Sequence, residues 1–326
     1  MGQFVICYLV MNKKLLKVNQ LFLAGLLGLI LSITTTKLSS MFNLSLVRAD
    51  NIQNDTNNIN EFNLIELGVP PFRQDAPKNN PNRSSSIELQ LISTTPNQIT
   101  DTEAWFERNN LSLPTYQVPN FNLNQLGDLP DYLPRSFGDN ILVKAIHYRD
   151  RDFLIYGNDY GDGRYLFSYD SDSHQFTAGY DFSNYSLSPD YVESDLDFVN
   201  QSLTWVNQED NILYVSHRHN TYAQSSLGMN GYLTAINTDN NQIIWRSQPL
   251  VCNAGNFEII NEVIICGYGF TAEPDFLYLI DKNNGKVLQQ INLKTAPDYI
   301  IRKGNKLYVR TYDTDYIFEI KFMNKM

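Results

Sequence analysis

The 326 residues carry 25 Lys/Arg against 35 Asp/Glu, a formal net charge of −10, and 43% of them are apolar. The length allows one large domain or two ordinary ones. The acidic balance excludes a phosphate-backbone partner, because no basic stripe offsets it.

The chain opens on a targeting pattern. Lys13, Lys14 and Lys17 precede the uncharged run LFLAGLLGLILSI at 21–33, and a basic start followed by such a run is a secretory signal. The run is shorter than the roughly 20 apolar residues of a spanning helix. Val47-Arg48-Ala49 offers cleavage after Ala49, and an uncleaved membrane anchor is the other reading of residues 1–49. Met11 is a second candidate start. The remainder is therefore expected outside the cytoplasm, periplasmic or secreted, touching a membrane only through that segment. Residues 1–49 hold five basic and no acidic residues, so residues 50–326 carry a formal charge of −15.

Residues 50–86 are rich in Asn, Pro and Ser. They bury too little apolar surface to offset ordering entropy and read as a disordered linker. A folded domain is expected over 87–326. IELQLIS (87–93) alternates as a strand, Thr100 or Asp101 is placed to cap a short helix through TEAWFERN, and 117–134 reads as an ordered connector.

From Asn140 onward, short β-branched and aromatic runs alternate with Asn/Asp/Gly turns. Four segments repeat one order of parts. The first runs from ILVKAIHY through FLIYGNDYGDGRYLFSYD to QFTAGYDF. The second runs from SLTWVNQEDNILYVSHRHN through GYLTAIN to IIWRSQPL. The third runs from FEIINEVIICGYGF through DFLYLID to KVLQQINL. The fourth, DYIIRKGNKLYVRTYDTDYIFEIKF, lacks a last strand, which IELQLIS is placed to supply. Such units predict an all-β chain, a β-propeller of four-stranded antiparallel blades with about four recognisable repeats. Residues 87–139 could supply part of a further blade; a β-sandwich or an open β-meander is the rival fold.

Two turns carry a recognisable pattern. AINTDNNQIIW spans Ala235 to Trp245, and LIDKNNGKVLQ spans Leu279 to Gln289. Quinoprotein-like (PQQ-like) propeller repeats show A-x-D-x-x-x-G-x-x-x-W across the turn between their last two strands. The first copy keeps Ala235, Asn237, Asn241 and Trp245, and the second keeps Asp281 and Gly285. Residues 140–326 thus resemble a divergent member of that superfamily, which implies a propeller with Trp245 packing between blades. The resemblance implies no quinone, since the adjacent-cysteine pair of the quinone enzymes is absent, and no cofactor is expected.

Candidate chemistry is sparse. His217 and His219 in SHRHN stand at i and i+2 on a strand, where two imidazoles could share a metal ion. An ordinary polar strand end is the competing reading. Cys266 occupies the slot of Val215 and Val309 in the other repeats and reads as a small buried hydrophobe. A regular hairpin sets Phe257, not Cys252, opposite Cys266. A Cys252–Cys266 disulfide would need a bend at Gly255–Asn256, and two free thiols are the alternative. Asp159, Asp162, Asp170 and Asp172 miss the EF-hand offsets and read as turn residues. YGFTAEPD, carrying Tyr268, Phe270, Glu273 and Asp275, reads as a loop at one end of the ring, suited to a small polar ligand, a glycan or a protein.

The leading expectation is an exported, non-catalytic binding module. A periplasmic hydrolase or lyase using Glu273 and Asp275 with His217 or His219 is one alternative. A membrane-tethered scaffold for envelope assembly is the other.

Overall fold

The structure, a computed structural model, describes residues 63–67, 85–119, 124–185, 200–219, 228–270 and 273–323. The targeting segment, most of the linker and the acidic run at 190–197 lie outside the described residues. No helix among the described residues is long and apolar enough to cross a membrane.

In chain order, β1 (Leu64–Glu66) and β2 (Ile87–Pro96) come first, then a 3-10 turn (Ile99–Asp101) and helix α1 (Thr102–Asn109). Three short strands come next: β3 (Tyr116–Gln117), β4 (Gly127–Asp128) and β5 (Ser136–Phe137). The first repeat forms β6 (Asn140–Tyr148), β7 (Arg151–Gly157), β8 (Tyr165–Asp170) and β9 (Gln175–Asp181). The second forms β10 (Ser202–Glu209), β11 (Ile212–Arg218), β12 (Tyr232–Asn237) and β13 (Gln242–Arg246). The third forms β14 (Glu258–Ile260), β15 (Val263–Phe270), β16 (Glu273–Asp281) and β17 (Val287–Asn292). The fourth forms β18 (Pro297–Lys303), β19 (Lys306–Thr311) and β20 (Thr314–Phe322).

Each repeat is an antiparallel meander, here numbered sheets I to IV. Sheet IV is completed by β2, which pairs antiparallel with β20 from Ile87↔Phe322 to Pro96↔Thr314. IELQLIS thus takes the place expected of it. Sheet I gains β5 at one edge and β1, parallel to β9, at the other. Leu64–Glu66 lies inside the stretch expected to be a disordered linker. Its three residues find backbone partners on Gly179–Asp181 instead.

The turns explain why the meanders repeat. The first two strands of every sheet are joined by a two-residue turn whose first residue has positive φ: Arg149 (58°), Asp210 (51°), Asn261 (55°) and Gly304 (63°). That handedness matches the twist of the flanking strands. The last two strands of sheets I to III are joined by turns with a left-handed residue at His174, Asn241 and Gly285. Four residues earlier stand Asp170, Asn237 and Asp281. Each lends a side-chain oxygen to a backbone N–H of its turn, at 2.8 Å (Ser173), 2.8 Å (Asp239) and 3.0 Å (Asn283). Sheet I therefore carries a third copy of the turn, which the sequence pattern missed because His replaces Gly or Asn.

Consecutive sheets lock through side chains. Tyr180 Oη on sheet I donates to Asn241 Oδ1 on sheet II at 3.0 Å. Trp245 Nε1 on sheet II donates to the Lys282 carbonyl of sheet III at 3.1 Å. A Cβ on Gly285 would lie 2.4 Å from the Trp245 ring, so this glycine is needed for close approach as well as for its φ of 69°. Asn256, ahead of β14, makes two hydrogen bonds to the Ile300 backbone of sheet IV, at 2.5 and 2.8 Å.

Among the described residues, 97–139 form no further four-stranded sheet. Trp105 and Phe106 of α1 pack on Tyr299 of sheet IV. Val118, Leu129 and Leu133 cover Leu142, Leu154 and Phe167 on one face of sheet I. The expected Asp101 cap does not form. Its carboxylate is drawn instead to buried Arg310, which also binds Asp315, because a buried guanidinium needs partners more than the exposed end of a helix does. Lys303 Nζ caps the other end through the Asn109 and Asn110 carbonyls, both at 2.9 Å.

Candidate functional site

The residues singled out in the sequence fall into separate places. His217 is fully buried within sheet II. Its Nδ1 meets Gln201 Oε1 and its Nε2 meets Thr234 Oγ1, both at 3.1 Å. Burial, and then the Arg246 charge, hold the imidazole well below its usual pKa. Both ring nitrogens are thus occupied, leaving none for a metal or for Glu273. His219 is held through its backbone: its N–H donates to Asn230 Oδ1 at 2.9 Å, and its carbonyl accepts from Asn230 Nδ2 at 3.2 Å. No group of three or more metal-ligating side chains occurs among the described residues. The connection 220–227 lies outside them.

YGFTAEPD is a hairpin rather than a loop. β15 runs through Phe270 and β16 begins at Glu273, with Phe270 opposite Glu273. Tyr268 is buried with its ring over Gly231 of sheet II, and its hydroxyl donates to Glu273 Oε2 at 2.5 Å. Asp275 is half-buried. Its carboxyl is raised by burial first, then by Asp313 and Glu273. Asp313 is itself paired with Lys294 Nζ at 3.0 Å. The hairpin therefore brings Tyr268, Glu273 and Asp275 together at the junctions of sheet III with its neighbours, and Glu273 is already engaged.

Cys252 and Cys266 form a disulfide, with Cα atoms 5.4 Å apart, so Cys266 is not the free core thiol its valine slot implies. The reason lies in the chain ahead of β14. Asn253 exchanges hydrogen bonds with the Gly269 backbone at 2.8 and 3.1 Å, and Gly255 N–H donates to the Asp298 carbonyl at 2.8 Å. These anchors bend 252–256 out of hairpin register and carry Cys252 back to β15.

Residues in or beside the four positive-φ turns line a different place. A polar cavity of about 540 Å³ is lined by Arg149 of sheet I, Glu209 of sheet II, Asn261, Glu262 and Lys282 of sheet III, and Arg302 of sheet IV. Phe322, about half exposed, adds an apolar wall. Arg149 Nη2 meets Glu209 Oε1 at 2.9 Å, Lys282 Nζ meets Glu209 Oε2 at 2.9 Å, and Lys282 lies 3.9 Å from Glu262. This chain of alternating charges ties three sheets together. Above it, Glu258 accepts from the Arg302 backbone N–H at 3.1 Å, and burial pushes its carboxyl up to about 7. Sequence reasoning missed this cavity, because its residues come from turns that look like ordinary polar hairpin ends.

Further charges stand on sheets I, II and IV. Lys144 Nζ donates to the Thr204 carbonyl at 2.6 Å and lies 5.3 Å from the centroid of the Trp205 ring. Burial, then Arg218, lowers its ammonium to about 7, with Asp298 opposing. Burial also lowers Arg218 and raises Asp298. Asp298 is nonetheless open to water.

No family model matches the sequence, and no curated protein matches it. Among solved structures, BamB from Moraxella catarrhalis is similar at 11% identity and a TM-score of 0.36, covering 54% of this chain and 42% of that one. A mitotic checkpoint complex chain is similar at 10% identity and a TM-score of 0.36, covering 53% and 48%. The computationally designed Ika4 protein is similar at 9% identity and a TM-score of 0.34, covering 55% and 88%. The chain thus spans less than half the length of the BamB structure it matches.

Proposed function

We propose that residues 87–326 form a four-bladed, quinoprotein-like β-propeller acting as an exported binding module, and that its partner docks where the four inner turns meet. The observation carrying this reading is the cavity itself. One space of about 540 Å³ takes lining residues from all four sheets, an arrangement expected of blades set around a common axis. Its chemistry favours a polar partner with some apolar surface, such as a peptide or glycan. The Arg302 guanidinium and the exposed Arg149 offer donors, while Phe322 offers a face for stacking. The basic start, the apolar run at 21–33 and the disulfide support export. N-terminal sequencing of native protein that begins at Met1 or Met11 would leave the anchored form.

The test is a thermal-shift screen of the full chain against short peptides and oligosaccharides, since a ligand that binds the folded state raises its melting temperature. At least one class is expected to raise it, and Arg302→Ala to abolish the rise without lowering the unliganded melting temperature. A rise that survives in Arg302→Ala places binding elsewhere and sinks the proposal.

A further inference from the structure

Among the described residues, sheet I alone carries a strand beyond the last strand of its meander. β1 lies parallel to β9, with Leu64 opposite Gly179, Ile65 opposite Tyr180 and Glu66 opposite Asp181. The edge of β9 is shaped for that neighbour. A Cβ on Gly179 would lie 2.7 Å from Leu64 Cδ2, so the bare glycine leaves the leucine its seat. Leu64 packs against the smaller of the two core clusters, while Ile65 packs against the larger and Leu67 is buried in it. This is the alternation of a strand laid between two apolar faces. Glu66 Oε1 accepts from Asn184 Nδ2 at 2.7 Å, and Leu67 N–H donates to the Asp181 carbonyl at 3.1 Å.

The seated segment is a short peptide in all but its covalent tether. Leu64–Leu67 stands within the Asn-, Pro- and Ser-rich stretch 50–86. Strand addition to a sheet edge draws affinity from main-chain hydrogen bonds and selectivity from seats for alternate side chains. β9 offers both, with the Asp181 carbonyl for the main chain, Gly179 for a leucine and Asn184 for a carboxylate. Three paired residues are few against the roughly five or six of an ordinary strand. The tether compensates by keeping β1 near the edge, at an effective concentration on the order of millimolar. We propose that the outer edge of β9 is a docking groove for an extended segment of another protein, apolar–apolar–acidic–apolar in sequence, and that Leu64–Leu67 occupies it as a tethered stand-in. A partner that takes the groove releases β1. Nothing in this draws on the turn-lined cavity.

Fluorescence anisotropy of a labelled peptide spanning residues 61–68, titrated with the full chain, tests it. Leu64→Asp combined with Ile65→Asp empties the groove. That variant is expected to bind the peptide saturably, and at least about tenfold more tightly than the wild type, whose own segment competes. Against the emptied groove, a Leu64→Asp peptide should bind at least about tenfold more weakly, and a Glu66→Lys peptide several-fold more weakly. Gly179→Val, added to the emptied chain, should abolish binding; if that protein does not fold, the two altered peptides carry the expectation. Absence of peptide binding to the emptied chain, or equal binding of the Leu64→Asp peptide, overturns the proposal. Light scattering should give the same mass for the wild type and the emptied chain. A wild-type dimer that the double substitution dissolves would make a second copy's segment the occupant and overturn it too. All of these read the edge of sheet I, so the Arg302-dependent peptide or glycan response stands or falls by itself.

Discussion

His217 and Arg218 are neighbours on β11, and their surroundings are opposite. His217 is sealed inside sheet II, with both ring nitrogens matched and with Tyr185 and Tyr232 packed on its ring at 5.6 Å each. Arg218, one residue on, is only partly buried, and its side chain makes no hydrogen bond or ion pair among the described residues. The difference separates two uses of a polar side chain. Where water is excluded, each donor and acceptor needs a partner, and the group becomes part of the framework. Where water reaches, a charge can wait, and its worth to folding is small.

Substitution should expose that contrast, beginning with His217. His217→Ala removes a packed ring, strands Gln201 Oε1 and leaves Thr234 only its Tyr185 partner, at a cost of about 3 kcal/mol in urea unfolding. A loss below ~1 kcal/mol would show that the sealed network is not framework. The wild type should also respond to acid. His217 is neutral in the folded state, so its contribution is complete above the unfolded value of 6.5 and declines as pH falls below it. Glu258→Gln comes next, with the opposite sign. The folded carboxyl keeps its proton up to about 7 against 4.5 when unfolded, so wild-type stability drops as pH rises across that window. The amide keeps the acceptor for Arg302, and the variant should gain roughly 2 kcal/mol at pH 8, discounted for partial exposure, and nothing at pH 4. An equal gain at both values would mean that charge is not the cause. Smallest is Arg218→Gln, expected within about 0.5 kcal/mol of wild type by the same unfolding measurement; a loss of several kcal/mol would make Arg218 framework like its neighbour.

Most of the sheet order was legible because strand alternation and turn residues are local signals. ILVKAIHY, VIICGYGF and KLYVRTY mark inner or second strands, and the missing fourth strand of the last repeat pointed to IELQLIS. Other features needed distant partners. His174 hid a left-handed turn position, because only Asp170 four residues earlier hints at it. The cysteine pairing hid behind a hairpin register that Asn253 and Gly255 break by bonding to residues far along the chain. Arg310 claimed the Asp101 carboxylate from the helix it precedes. The cavity was least legible, since Arg149, Glu209, Lys282 and Arg302 share no spacing.

The closure of sheet IV by β2 bears on when the molecule can finish folding. Sheets II and III, and the meander at the heart of sheet I, pair strands that follow one another in sequence, so each is able to zip up as the chain leaves the ribosome. Sheet IV cannot, because β2 is synthesised early and its partner β20 after the other described strands. Until then Ile87 and Leu89, both buried in the finished fold, lack their cover, and β2 is an unpaired edge open to other chains. The slow event is the reunion of the two ends of the domain, and the hazard of aggregation lasts as long as that wait.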